Sequence, residues 1–283
     1  MKTILLVLWC ALGALAAPSQ FEPITNDYHR RYGIPEAARI KAAEESMDFD
    51  GSRITGGSLS GLGAYPFMGG LVIALHAGPD SVCGSSLLSN TRLVTAAHCW
   101  RNGGFWGRQF TVVLGSTRLF SGGVRIVTNQ VQMHPDYMEW NFFNDIAIIR
   151  IGHVGFNAHI NRINLATGTN AFVGVLADVV GFGRTGNNHA IGPNQSLSHV
   201  RVPVIANAEC QRVFGNVILS STICTSGAGG RNPCPGDSGG PLAIPGPTLI
   251  GVVSFGSPRG CQAGYPTAYG RITSFATWIR ARL

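Results

Sequence analysis

Three fragments of the chain carry side chains fit for nucleophilic chemistry. "LVTAAHCW" places His98 beside Cys99, "NFFNDIAIIR" places Asp145 at the head of an apolar strand, and "CPGDSGGPL" places Ser238 in a tight glycine-flanked turn. A neutral hydroxyl is a poor nucleophile and needs a base within hydrogen-bond reach. An imidazole can be that base, and a carboxylate can hold the imidazole in the right tautomer and stabilise its cation. Taken singly, a histidine such as His98 is usually structural, and an aspartate before a strand such as Asp145 is usually a cap or turn residue. The third fragment says more. Gly236, Gly239 and Gly240 permit backbone shapes and close approaches that side chains forbid. They leave the Ser238 hydroxyl and nearby N–H groups facing a ligand.

The elements that must position these groups are short strands. Runs such as "FMGGLVIALH", "RLVTAAH", "FTVVLGS", "DIAIIRI", "DVVGFG", "LSHVRVPVI" and "TLIGVVSFG" recur between turn residues. That spacing predicts antiparallel all-β sandwiches or barrels. Only two segments read as helices. "IPEAARIKAAEESM" has helix formers and a Pro near its start. "TSFATWIRARL" offers Thr273 or Ser274 as N-cap and puts Phe275, Trp278, Ile279 and Leu283 on one face.

The N-terminus begins with Lys2, an apolar run from Ile4 to Leu15 too short to span a bilayer, and small residues at Ala14-Leu15-Ala16. Residues 1–16 therefore read as a secretory signal. Removing them takes Cys10 and leaves six of seven cysteines, Cys83, Cys99, Cys210, Cys224, Cys234 and Cys261. Six in an oxidising compartment suggest three disulfides, with 15 possible connectivities. No C-x-x-C pair and no H-E-x-x-H helix occurs, which excludes the common zinc patterns.

Charge is unevenly distributed. Residues 17–53 hold five basic and seven acidic side chains, while residues 54–283 hold fifteen arginines, no lysine and seven acidic groups. The arginines stand singly, with no run that would track a phosphate backbone, so nucleic acid is not an expected partner. Arginine keeps its charge where lysine begins to lose it. A lysine-free body suits an alkaline fluid and equally reflects compositional drift. Asn194-Gln195-Ser196 is a glycosylation sequon.

Together "TAAHC", "DIA" and "GDSGGP", in the order His, Asp, Ser, resemble the chymotrypsin-like serine proteases over essentially all of residues 54–283. The leader "YGIPEAARIKAAEESMDFDGSRITGG" resembles those of insect digestive chymotrypsins, particularly of caterpillars. The resemblance implies two six-stranded antiparallel β-barrels packed together, residues 54–162 and 163–283, with a C-terminal α-helix. It implies a catalytic triad of His98, Asp145 and Ser238, and an oxyanion hole from the N–H groups of Gly236 and Ser238. It pairs Cys83 with Cys99, Cys210 with Cys224, and Cys234 with Cys261. No cofactor or metal is implied. The family's calcium loop corresponds to "GSTRLFSGGVR", which has no carboxylate here, so no calcium is expected there.

The same resemblance makes residues 17–53 an activation propeptide. Cutting after Arg53 frees the Ile54 ammonium, which pairs with Asp237 and orders the oxyanion loop. The propeptide has no cysteine, and opposite net charge is expected to hold it loosely. Family alignment puts Asn232 at the base of the primary pocket, with Thr267 beside it and Gly256 on an open wall. Ser254, Phe255 and Gly256 offer backbone to an extended substrate. A neutral, roomy pocket suits Phe, Tyr, Leu or Met, although the family's commoner pattern has serine at the base. A trypsin-like protease is then the expected activator. Other expected partners are protein and peptide substrates and proteinaceous protease inhibitors, acting on a secreted monomer without membrane or nucleic acid. The competing readings are a selective processing protease, an elastase- or collagenase-like protease, and an inactive protease-fold binding protein.

Overall fold

The computed structural model describes residues 21–46, 58–187 and 196–283. The signal segment, Arg53, Ile54 and Asn194 lie outside the described residues.

Strands of β-branched and apolar residues form two sheets, each closing on itself through a ring of six. In the first, Phe105–Leu114, Met68–Leu75, Ser81–Ser89, Arg92–Thr95 and Ala147–Arg150 are neighbours in that order. Val124–Thr128 and Val131–Met133 act as two halves of one bent strand. The first half pairs with Phe105–Leu114 and the second with Ala147–Arg150, which closes the ring. The second ring runs Ser198–Ile205, Leu176–Gly181, Pro241–Ile244, Thr248–Gly256, Thr267–Arg271 and Thr222–Thr225, and the last strand pairs back onto the first. With the two halves of the bent strand counted separately, two-residue strands bring each sheet to eight. One of them, Ser58–Leu59, pairs with Ser198–His199 of the second ring. A short strand from the expected first unit, residues 54–162, thus pairs with the second ring.

Three disulfides tie the loops: Cys83–Cys99, Cys210–Cys224 and Cys234–Cys261. They match the pairing that the family resemblance implies. Among the described residues, no helix is long and apolar enough to cross a membrane.

Helix α1, Ile34–Ser46, forms where helix formers and Pro35 in the first turn predict it. Its buried residues include Glu36, Ala37, Ile40, Ala43 and Glu44. Ile40 is fully enclosed among residues of both barrels, including Met68, Val82, Val180 and Phe182. Its burial alone is worth about 1.5–3 kcal/mol. This segment is docked specifically, which corrects the expectation of a loose electrostatic attachment. Net charge describes the average field, whereas α1 places two carboxylates against chosen donors.

Helix α2, Asn207–Phe214, was not expected from sequence. It is short, and its N-terminal cap is Ala206, whose N–H is accepted by Glu209 Oε1 at 3.3 Å. Helix α3, Ile272–Arg280, is the expected C-terminal helix, but its N-cap is Arg271 rather than Thr273 or Ser274. The preceding strand runs directly into it, and Arg271 Nη2 donates to Thr222 O at 2.8 Å. Ile272, Phe275, Ala276 and Ile279 form its buried face. Leu283 lies beyond the helix and is exposed.

Candidate active site

His98 sits in a short helical turn, Ala97–Cys99, that follows strand Arg92–Thr95. The Cys83–Cys99 bridge fastens this turn to the neighbouring strand. Asp145 lies just ahead of strand Ala147–Arg150, which pairs with Arg92–Thr95. The β-pairing therefore brings together two residues 47 positions apart. Asp145 Oδ2 lies 2.7 Å from His98 Nδ1, and the His98 backbone N–H donates to Asp145 Oδ1 at 2.8 Å. Ser254 Oγ donates to Asp145 Oδ2 at 2.5 Å. Sequence reasoning assigned the Ser254 backbone to substrate contact; its hydroxyl has the further role of holding the carboxylate. A serine at the start of "SFG" carries no local sign of that role. It emerges only when the second barrel meets the first.

Ser238 lies across the barrel interface from this pair. Gly84 N–H donates to Ser238 O at 2.7 Å, and Thr95 Oγ1 donates to Gly84 O at 2.7 Å. No hydrogen bond joins the Ser238 hydroxyl to His98 among the described residues. Tyr28 of the N-terminal segment stands at both groups instead. Its ring packs edge-on to the His98 ring, centroids 4.7 Å apart, and it lines the same cavity as Ser238. The phenol donates to Val82 O at 2.7 Å. Burial, far more than any neighbour, drives the Tyr28 pKa far above the phenol range. His98 is left with no exposed surface.

The loop before the nucleophile shows a second buried carboxylate. Asp237 Oδ1 accepts from Gly183 N–H and Oδ2 from Cys234 N–H, each at 2.8 Å. Gly181 and Gly183 make room for it, since a Cβ on Gly181 would lie 2.0 Å from Asp237 Oδ1. Burial pushes the Asp237 carboxyl up to about 6. The two backbone donors pull it down, Glu36 opposes them and Arg39 assists them. Gly236 adopts φ +101°, a region that side chains rarely enter. Among the described residues, neither Gly236 N–H nor Ser238 N–H is spent on a protein acceptor.

Beside Ser238 opens a cavity of about 390 Å³. Asn232, Thr267, Gly256 and Phe255 line it, as alignment implied, together with the Cys234–Cys261 bridge and Tyr265. Asn232 does not present a free amide. Its Nδ2 donates to Cys261 O and Tyr265 O at 3.0 and 2.9 Å, and its Oδ1 accepts from Thr267 Oγ1 at 3.0 Å. Asn232 thus binds the walls together. Among the described residues no carboxylate lines the cavity, while Arg184 and Arg259 both do.

The loop at residues 115–125 carries no carboxylate of its own. Glu44 of α1 reaches it: Leu119 N–H donates to Glu44 Oε1 at 2.5 Å, and Phe120 N–H and Ser121 Oγ to Oε2 at 3.0 Å each. The single cluster of possible metal-binding atoms among the described residues is Cys83, His98 and Cys99. Both of its sulfurs are in one disulfide, and an oxidised bridge supplies no thiolate for a metal.

Residues 54–279 match the family model described as Trypsin. A collagenase of Hypoderma lineatum is 34% identical over 81% of this chain and 86% of its own. A brachyurin of Leptuca pugilator is 38% identical over 71% and 87%. Trypsin beta of Drosophila erecta is 33% identical over 80% and 87%. Among solved structures, one titled as a collagenase superimposes with a TM-score of 0.74 at 33% identity, covering 81% of this chain and 98% of that one. These likenesses do not single out caterpillar enzymes.

Proposed function

This chain belongs to the trypsin family of serine proteases, and from that premise we propose that it is a secreted digestive endopeptidase, inactive until cut after Arg53, that cleaves after large apolar or aromatic residues. In this reading Ser238 attacks the scissile carbonyl, His98 takes its proton and returns it to the leaving amine, and Asp145 stabilises the imidazolium. The N–H groups of Gly236 and Ser238 receive the oxyanion. A new ammonium at Ile54 enters the socket beside Gly181 and meets Asp237. Burying that cation is costly unless the carboxylate answers it. The raised carboxyl of Asp237 shows the same cost from the other side.

The observation that carries the specificity is the satisfied amide of Asn232 at the pocket base, with no acid in the lining and two arginines at it. An Arg or Lys side chain would find no counter-charge, whereas an apolar ring displaces water at no electrostatic cost. A broader, collagenase-like preference is the second reading, favoured by the names of the relatives.

The test is a panel of peptides varied at the residue before the cut, offered to enzyme activated by immobilised trypsin across pH 6 to 11. Preference for Phe, Tyr, Leu or Met is expected. Preference for Arg or Lys overturns the pocket reading, as does rapid self-activation of the pure uncut chain.

A further inference from the structure

We propose that residues 21–46, once severed, are a competitive inhibitor of the enzyme made from the same chain. The proposal rests on the reading of cleavage after Arg53, and it adds a binding function to a segment otherwise needed only for latency.

The segment crosses the whole site. At one end Glu22 N–H donates to Val213 O, and the Glu22 carboxylate meets Arg259, with Nη2 2.9 Å from Oε1. Ile24 packs on the cluster of Phe214 and the Cys210–Cys224 bridge. In the middle, Asn102 Oδ1 accepts from Tyr28 N–H at 2.7 Å, and the Tyr28 ring covers His98. Next, His29 Nδ1 lies 2.9 Å from Ser81 Oγ. A Cβ on Gly33 would stand 2.0 Å from that same oxygen, so only glycine lets the chain approach strand Ser81–Ser89 this closely.

At the far end α1 is anchored by charge as well as apolar burial. Glu36 is buried between Arg39 Nε at 2.6 Å and Arg184 Nε at 2.5 Å, and Glu44 accepts the N–H groups of residues 119 and 120. A buried carboxylate met by several donors holds one geometry and penalises others.

No strand forms in residues 21–46. The segment therefore does not lie beside Ser254–Gly256 as an added strand, the arrangement expected of a substrate. It covers the imidazole with a ring and sets a tyrosine in the wall of the cavity that Ser238 lines. A segment seated this way blocks the site without presenting a peptide bond for cleavage. Nothing in these contacts needs the covalent link through residues 47–53.

The experiment uses enzyme activated on immobilised trypsin, separated from its leader, and shown by terminal sequencing to begin at Ile54. Synthetic peptides of residues 17–53 are added: wild type, Tyr28→Ala, Gly33→Ala and scrambled. Wild-type peptide is expected to inhibit competitively at low micromolar concentration. Each variant is expected to be weakened about tenfold or more, and the scrambled peptide should be inert. Activity should also lag behind cleavage at high protein concentration and rise on dilution.

Three results overturn the inference. One is an active enzyme that ignores wild-type peptide at about 100 µM, a concentration that would reveal even weak binding. The others are equal inhibition by all four peptides, and wild-type peptide consumed as an ordinary substrate by mass spectrometry. A chain cut after Arg53 that stays inactive with its leader removed overturns the cleavage reading instead. Fluorescein-labelled peptide then still reports docking, and absent binding sinks the inference.

Discussion

Asp145 and Asp237 are both buried carboxylates on the same site, and they are finished to different degrees. Asp145 meets a backbone N–H, a serine hydroxyl and the imidazole. Asp237 has two backbone donors, and burial still pushes it up to about 6. The first half of the site is assembled by strand pairing in the chain as it stands. The second is a socket whose anion lacks a full counter-charge. In the proposed zymogen, latency resides in the Asp237 loop and in the segment lying over the site, while the His98–Asp145 pair is ready beforehand.

The strongest test of that contrast is Asp145→Asn. An amide there favours the wrong tautomer of His98, and turnover of the activated enzyme should fall about 10⁴-fold. Single-turnover assays on activated protein measure it. A loss below about tenfold would mean that the carboxylate is not the group orienting the imidazole.

Asp237→Asn should cost activated enzyme about 10²–10³-fold, comparable to loss of an oxyanion donor. In the uncut chain the sign is different. The folded carboxyl is raised to about 6 from the ordinary value near 3.9. Stability from the protonated acid is thus complete below about pH 4 and lost as pH rises through about 6. The loss is on the order of 3 kcal/mol. Urea unfolding of uncut Ser238→Ala protein at pH 4 and 7.5, with and without Asp237→Asn, reads this term. The two proteins should diverge with rising pH, the aspartate form losing more. Parallel behaviour would mean that Asp237 is already compensated before cleavage.

Ser254→Ala removes one of the groups holding Asp145 and leaves the other two. Losing a hydrogen bond to a charged group costs about 1.5–3 kcal/mol, or roughly 10–100-fold in turnover. If KM rises with kcat unchanged, the Ser254 hydroxyl serves substrate binding rather than Asp145.

These asymmetries separate what was legible in the sequence from what was not. The motifs holding His98, Asp145 and Ser238 were legible because they are local, and so were the strands, because alternation and turns are local too; the choice of barrels over sandwiches came from the family resemblance. Helix α1 was legible from Pro35 and its helix formers. Its docking was not. Glu44 meets residues 119–121 some 75 positions away, and Tyr28 meets His98 70 positions away, with nothing in either neighbourhood to announce the partner. Helix α2 escaped because eight residues with an alanine cap carry little periodic signal. Asn232 lines the pocket that alignment assigned it to, but its role as a wall tie depends on backbone oxygens that residue identities do not reveal.

The smallest expected effect concerns the segment that covers the finished half. His29 is fully buried, and burial, with the charge of His98 added, pushes its pKa down to about 3 while a backbone bond with His98 opposes the shift. Ser81 Oγ, the Tyr28 ring and the Phe105 ring surround it, with Arg30 stacked over Phe105. A lowered histidine pKa favours the docked state above the free value near 6.5 and withdraws that support as pH falls towards 3. Inhibition by the severed peptide should therefore weaken about tenfold between pH 8 and pH 5.5. A His29→Phe peptide keeps the ring and removes the proton. The His98 contribution is common to both peptides, so the difference between their pH profiles isolates His29. Coincident profiles would mean that His29 stays neutral by leaving its pocket, and that the segment docks through Tyr28 and α1 alone.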